Sequence, residues 1–286
     1  MTNPTALKAE QASQWQAGAP VRLQRAELIE KHWGSISSEL LSRARLVAGA
    51  RLLDVGTGHG EPALAGARIV GPTGHVIGVD LSQDMLEAAR ARAADAGIEN
   101  VTWVEQDAEE LDLRAGTFDA AVSRNSMMFL PRPERAMRRV LEHLRPGGRF
   151  VVGVVGPEET QEQWTMTVDA IVTSLGIPPP PRGKLGEPGV YSLSSAEVLT
   201  SLLERAGYVD VRIELEELVY DFAMPEEVVT WHEINPTIVG LIAGRSEPDV
   251  RAAWRAVVKA ARTRIDPDGH VRIPSQMIYA VGQRSS

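Results

Sequence analysis

Short runs of β-branched and aliphatic residues alternate along the chain with longer stretches in which apolar side chains return every three or four positions. The runs are Arg51–Val55, His75–Asp80, Val101–Glu105, 118–123 and 149–155, each of strand length and bounded by Gly, Pro, Asp or Ser. Residues 61–70, 82–96 and 132–144 between them put their apolar positions on one helical face. Strand and helix in regular alternation predict parallel strands joined by crossover helices. Pro146-Gly147-Gly148 stops the last of these helices and turns the chain into the next strand.

Beyond Val155 the rhythm breaks. Residues 161–175 read as an amphipathic helix, and 177–189 hold four consecutive prolines, which fit neither a helix nor a central strand. This stretch reads as an insertion. A helix over 194–206 follows, with Ser194 or Ser195 as its cap and Gly207 as its stop, and then a strand over 208–218. Two more helices, 225–240 and 247–262, precede a final strand over 271–281. The pattern predicts one domain over residues 1–286, with cap elements at about 1–48, 156–193 and 222–265 above a core sheet.

Composition narrows the chemistry. The 286 residues carry 38 acidic and 30 basic side chains, a formal charge of −8, which argues against a general nucleic-acid binder. With no cysteine there are no disulfides, thiolate metal sites or cysteine nucleophiles. The six histidines show no i, i+4 pair and no ligand-like spacing with acids, so no metal is expected. The opening residues lack the layout of a secretory signal, and no apolar run is long enough to span a membrane, so a cytoplasmic protein away from membranes is expected.

The strongest local signal is Asp54-Val55-Gly56-Thr57-Gly58-His59-Gly60-Glu61, a glycine-rich turn between the first strand and the first helix. Glycines at alternate positions let backbone amides approach a ligand, and the following helix start favours an anionic group. A dinucleotide fingerprint wants a third small residue where Glu61 stands, so a diphosphate is disfavoured. The second strand ends on Asp80, where a carboxylate can accept both hydroxyls of a ribose, and the third leads to Asp107, which can take the amino group of adenine. Asp54, Asp80 and Asp107 therefore stand on one rim of the sheet, at the carboxyl ends of parallel strands.

On these residues, together with Phe118-Asp119-Ala120-Ala121-Val122-Ser123 and Leu144-Arg145-Pro146-Gly147-Gly148, the chain resembles the class I S-adenosylmethionine-dependent methyltransferases. Within them it is similar to the small-molecule branch that includes the ubiquinone and menaquinone biosynthesis enzymes. The resemblance runs from about Gln14 to Tyr208. It implies a doubly wound α/β fold, Rossmann-like, whose seven-stranded sheet has an antiparallel last strand inserted beside the fifth, with a helical cap. It also implies that Gly56, Gly58 and Gly60 cradle the methionine part of S-adenosylmethionine while Asp54 orients their loop. Asp80 would hold the ribose, Leu81 and Met85 pack the adenine, and Asp107 and Ala108 bind its amino edge. Ser123 would offer a backbone carbonyl to the methionine ammonium. His59 departs from the small or hydroxylated residue usual in this loop, and it is expected to act as a hydrogen-bonding residue.

Methyl transfer chiefly requires that the acceptor be held in line and water kept out. The segment Arg124-Asn125-Ser126-Met127-Met128-Phe129 lacks the acidic or amide residue, two prolines and an aromatic by which base-methylating enzymes hold an amine, so DNA and RNA bases are not expected acceptors. Met127 and Met128 suit an apolar acceptor wall. Trp15, Trp164, Tyr191 and Trp231 fall in the three cap elements and are candidate lid residues. His232 is the candidate general base, ahead of His32. The expected activity is methylation of a small, mostly apolar, natural-product-like molecule, with oxygen ahead of nitrogen and carbon. The alternatives are a quinone-pathway-like C-methyltransferase, or a protein that binds the cofactor without transferring methyl, as a cyclase or binding module. The oligomeric state, a homodimer included, is left open.

Overall fold

The computed structural model describes Lys8, Gln16 and residues 20–286. Five parallel strands form in the predicted places: β1 (Arg51–Val55), β2 (His75–Asp80), β3 (Val101–Glu105), β4 (Phe118–Arg124) and β5 (Leu144–Val155). Two longer strands, β6 (Val209–Phe222) and β7 (Val271–Gln283), complete one sheet of order β3-β2-β1-β4-β5-β7-β6. The last strand slots between β5 and β6 and runs antiparallel to both, as the resemblance implies.

The chain leaves β1 towards β3 and then crosses back to β4, so β1 and β4 are neighbours whose connections diverge, with Leu52 opposite Ala120 and Asp54 opposite Val122. A crevice opens at the carboxyl ends of such a pair, where ligands of open α/β sheets bind.

The strand pleat sorts side chains into two apolar cores, one on each face of the sheet. Leu52, Ala120, Val122 and Val151 face helix α1 (Ala26–Arg43), while Leu53, Ala121, Phe150 and Val152 face the opposite side. That opposite core is closed by α4 (Pro133–His143) and α6 (Ala196–Ala206); α2 (Ala63–Val70) and α3 (Gln83–Asp95) complete the crossovers. Phe150 is wholly buried, and trimming it to alanine costs about 3–5 kcal/mol.

The cap helices add to the α1 core. Val168 and Ile171 of α5 (Glu162–Leu175), Trp231 of α7 (Pro225–His232), Ile238 of α8 (Pro236–Ile242) and Val257 of α9 (Glu247–Ala261) are all buried in it. The single helix expected over 225–240 is two. Proline at 236 has no amide hydrogen to continue α7, and Asn235 restarts the chain by accepting from the amides of Thr237 (3.0 Å) and Ile238 (3.4 Å). Ser195 and Gly207 cap α6 as predicted, Gly207 with φ of 103°.

Candidate active site

The turn after β1 is built around two carboxylates. Asp54 is completely buried, and its Oδ2 accepts from Thr57 Oγ1 (2.6 Å) and the amide of Ala63 (3.0 Å), closing the loop onto the start of α2. Its Oδ1 has no partner among the described residues, and burial pushes the carboxyl up to about 7. Asp80 accepts the amide of Gly58 on Oδ2 (2.8 Å) and that of Ser82 on Oδ1 (2.9 Å). Burial raises its pKa, opposed by those backbone bonds. The loop is thus pinned to the ends of both strands.

Glycine is required at Gly56, where φ is 73° and a Cβ would collide with the side chain of Ser126. The backbone of the β1 turn therefore lies directly against the segment that follows β4.

That segment carries features the sequence reading passed over. Arg124 donates through both terminal nitrogens to Glu30 of α1 (3.0 and 2.8 Å) and through one of them to Ser37 Oγ (2.9 Å). Glu30 Oε1 is also 3.2 Å from His59 Nε2. Burial alone would raise the Glu30 carboxyl, but the adjacent His59 and the hydrogen bonds and charge of Arg124 outweigh it and hold the group at about 2. Burial lowers His59, which favours the neutral ring. A charged side chain at the end of an apolar strand was the available signal for this cluster. Asn125 follows with φ of 51°, a left-handed conformation that asparagine tolerates better than most residues.

At the end of β3, Asp107 Oδ1 accepts the amide of Glu109 (2.8 Å), and Lys8 Nζ lies 2.5 Å from its Oδ2 and 2.6 Å from Glu109 Oε2. Glu109 is wholly buried and also accepts from Arg132. Arg132, the residue before α4, thus pairs with a buried carboxylate.

A cavity of about 260 Å³ runs from the glycine turn to the cap. Gly56, Gly58, Asp80, Leu81, Met85 and Ala108 line one part of it, and Met128, Trp164, Tyr191, Trp231 and His232 line the rest. Trp33 and Tyr220, not anticipated from sequence, extend the aromatic wall, with Trp33 Nε1 donating to Tyr220 Oη (3.2 Å).

Asp54, Gly60, Asp107 and Ser123 stand outside the lining. Met127, expected in the acceptor wall, is fully buried in the core beneath β4, because the turn at Met127–Phe129 points only its neighbours outward. Trp15 lies outside the described residues. Trp231 and His232 are buried rather than on a solvated helix face. His232 donates from Nε2 to the Gln163 carbonyl (3.1 Å), and burial pulls its ring down to about 4, making it a weak proton acceptor at neutral pH. His32 is enclosed by Tyr220, Phe222 and Trp231, off the cavity, and burial likewise lowers it to about 4.

Residues 52–148, from β1 into β5, match the family described as a methyltransferase domain. The nocamycin O-methyltransferase of Saccharothrix syringae is 29% identical over 246 residues, covering 82% of this chain and 85% of that protein. Together the matched domain, the relative and the fold support a class I S-adenosylmethionine-dependent methyltransferase. A ubiquinone/menaquinone biosynthesis C-methyltransferase of Pseudomonas putida is 37% identical to this methyltransferase over 106 residues, 37% of the chain and 41% of that enzyme. Among solved structures, the (4+2)-cyclase SpnF is 25% identical with a TM-score of 0.54, covering 88% of this chain and 82% of that one. The cofactor of the methyltransferase is S-adenosylmethionine, and the side-chain-free cradle at Gly56 and the Asp80 carboxylate at the cavity fit it. Among the described residues no cluster of three histidine or acidic side chains gathers to hold a metal, and no helix is long and apolar enough to cross a membrane.

Proposed function

We propose that this methyltransferase methylates an oxygen of a small, mostly apolar, natural-product-like acceptor. The observation that carries the reading is the continuity of the cavity, which leads from Gly56 and Asp80 directly to an aromatic wall of Trp33, Trp164, Tyr191, Tyr220 and Trp231. Such a wall supplies apolar contact area and excludes water. The relative whose similarity extends through the caps is named an O-methyltransferase, whereas similarity to the C-methyltransferase is confined to 106 residues.

In this reading Gly58 and Gly60 share the methionine cradle with Gly56, Asp54 braces it from below, and Asp80 receives the ribose. Leu81 and Met85 sandwich the adenine, with Asp107 and Ala108 at its amino edge and the Ser123 carbonyl at the ammonium. When bound, S-adenosylmethionine supplies an electrophilic methyl on a sulfonium whose departure as a thioether takes up the bonding electron pair. The chain contributes positioning and desolvation: the lid aromatics hold the acceptor in line, and Met128 closes one side. His232 acts as a neutral wall residue that fixes α7 to α5. The hydroxyl proton is released to water.

The whole chain is taken as one domain acting in the cytoplasm, with caps at about 1–48, 156–193 and 222–265 and without nucleic-acid partners, in keeping with its charge of −8. A second reading, cyclisation on a methyltransferase fold without transfer, is favoured by the likeness to SpnF over 88% of the chain. Incubation of the enzyme and S-adenosylmethionine with a library of hydroxylated aromatic and polyketide-like compounds tests both. Stoichiometric S-adenosylhomocysteine and an O-methyl product support the first, and a rearranged product of unchanged mass supports the second.

A further inference from the structure

The polar groups at the cavity divide into two kinds. Of the charged groups lining it, Arg124 is committed to Glu30, Asp80 to two backbone amides, and Glu61 Oε2 to the amide of Ala65 (3.1 Å), with Arg92 3.7 Å from its Oε1. Besides His59, whose Nε2 lies 3.2 Å from Glu30 Oε1 without a hydrogen-bond partner among the described residues, two carboxamides are not. Asn125 has both Nδ2 and Oδ1 buried without a hydrogen-bond partner among the described residues, and Gln163, 9% exposed, has Oε1 in the same state. Both line the cavity, Asn125 from the end of β4 beside the glycine turn and Gln163 from the first turn of α5 in the cap.

Buried polar groups are ordinarily satisfied, and unmet ones at a ligand cavity mark where a ligand's own polar groups are expected. A carboxamide carries no charge and offers a donor pair and an acceptor side by side. An anion would accept from Asn125 Nδ2 but would leave the unpartnered oxygens of both carboxamides without a donor. Asn125 also keeps a left-handed backbone that favours very few side chains, which fixes where its carboxamide emerges from β4.

We propose that Asn125 and Gln163 orient the methyl acceptor, and that the acceptor is an uncharged molecule presenting a hydroxyl and a carbonyl on one face. The inference rests on the O-methylation reading above and specifies its substrate class. The hydroxyl donates to a carboxamide oxygen, and the carbonyl accepts from the Asn125 amide group. The aromatic wall takes the flat apolar remainder. Both residues are positioning groups, and neither exchanges a proton with the acceptor.

The test is calorimetric titration of the S-adenosylhomocysteine-loaded protein with three kinds of bicyclic probe. Hydroxytetralones carry a ketone and a hydroxyl at stepped separations, naphthol lacks the ketone, and naphthoate is an anion. At least one hydroxytetralone is expected to bind at least about tenfold tighter than naphthol and naphthoate. Asn125→Gly, which keeps the left-handed backbone, and Gln163→Met, which keeps the volume, are each expected to erase that preference while retaining S-adenosylhomocysteine binding and the melting temperature. Tightest binding by naphthoate, no preference for any hydroxytetralone, or a preference that persists in both variants overturns the proposal. Product analysis is read separately: methyl on carbon with the preference intact rejects the O-methylation reading and leaves the carboxamide pair as the acceptor grip.

Discussion

Arg124 grips Glu30 with two N–H···O bonds of 3.0 and 2.8 Å, joining the carboxyl end of β4 to helix α1 across 94 positions of sequence. The same carboxylate is 3.2 Å from His59, which brings the glycine turn alongside α1. The cavity wall is therefore assembled from the start, the first turn and the middle of the sheet at once.

Cutting that pair is expected to destabilise the fold and loosen the cofactor loop together. Glu30→Gln leaves Arg124, whose side chain is 5% exposed, with an uncompensated charge, at a cost of about 3–5 kcal/mol in chemical denaturation. The pH dependence has a definite sign. Held at about 2, the Glu30 carboxyl contributes stability that is complete above its ordinary value of 4.5 and lost as pH falls towards 2. The gap between wild type and Glu30→Gln should narrow from about pH 6 to about pH 3; a constant gap would contradict the assignment.

Asp54 behaves oppositely. A folded-state value of about 7 against an ordinary 3.8 means that its contribution is fully present below 3.8 and is lost as pH rises through 7. Asp54→Asn keeps the acceptor oxygen for Thr57 and Ala63 and removes the buried charge. Its stability relative to wild type should rise from pH 5 to pH 8 by about 1–3 kcal/mol, read from denaturation midpoints.

Gly56→Ala is expected to reduce S-adenosylhomocysteine affinity by at least about tenfold, since the new methyl meets Ser126 and the residue sits at φ of 73°. Adding Ser126→Gly removes the collision and leaves the backbone strain. Partial recovery in the double variant, measured by titration, separates the two causes; recovery of nothing would locate the fault elsewhere.

His232→Phe should keep the turnover number within about threefold and leave its pH profile between pH 6 and pH 9 unaltered, because a ring near 4 does not titrate there. Loss of a profile limb together with a fall of a hundredfold or more would restore His232 as the base.

The sheet was legible because its strands are short apolar runs punctuated by glycine, proline and acids, and because parallel pairing makes those runs hydrophobic on both faces. The acids at strand ends were legible for the same reason, standing at the close of apolar runs, and Asp80 lies where that reasoning put it. The cap was not. Whether Met127 or Met128 faces the cavity depends on one residue of rotation in a single turn, and whether His232 meets solvent depends on how α7 packs against α5. Neither is encoded in local periodicity. Glu30 and Arg124 are 94 positions apart, and nothing in either segment names the other.

The central claim, that this chain binds S-adenosylmethionine through the Asp80 rim, is tested most directly by calorimetric titration of the purified protein with S-adenosylmethionine and S-adenosylhomocysteine, wild type beside Asp80→Ala. The account predicts saturable one-to-one binding of both ligands by the wild type and its loss in a folded Asp80→Ala variant. Absence of binding to either ligand by folded wild-type protein, or undiminished binding by the variant, would contradict it.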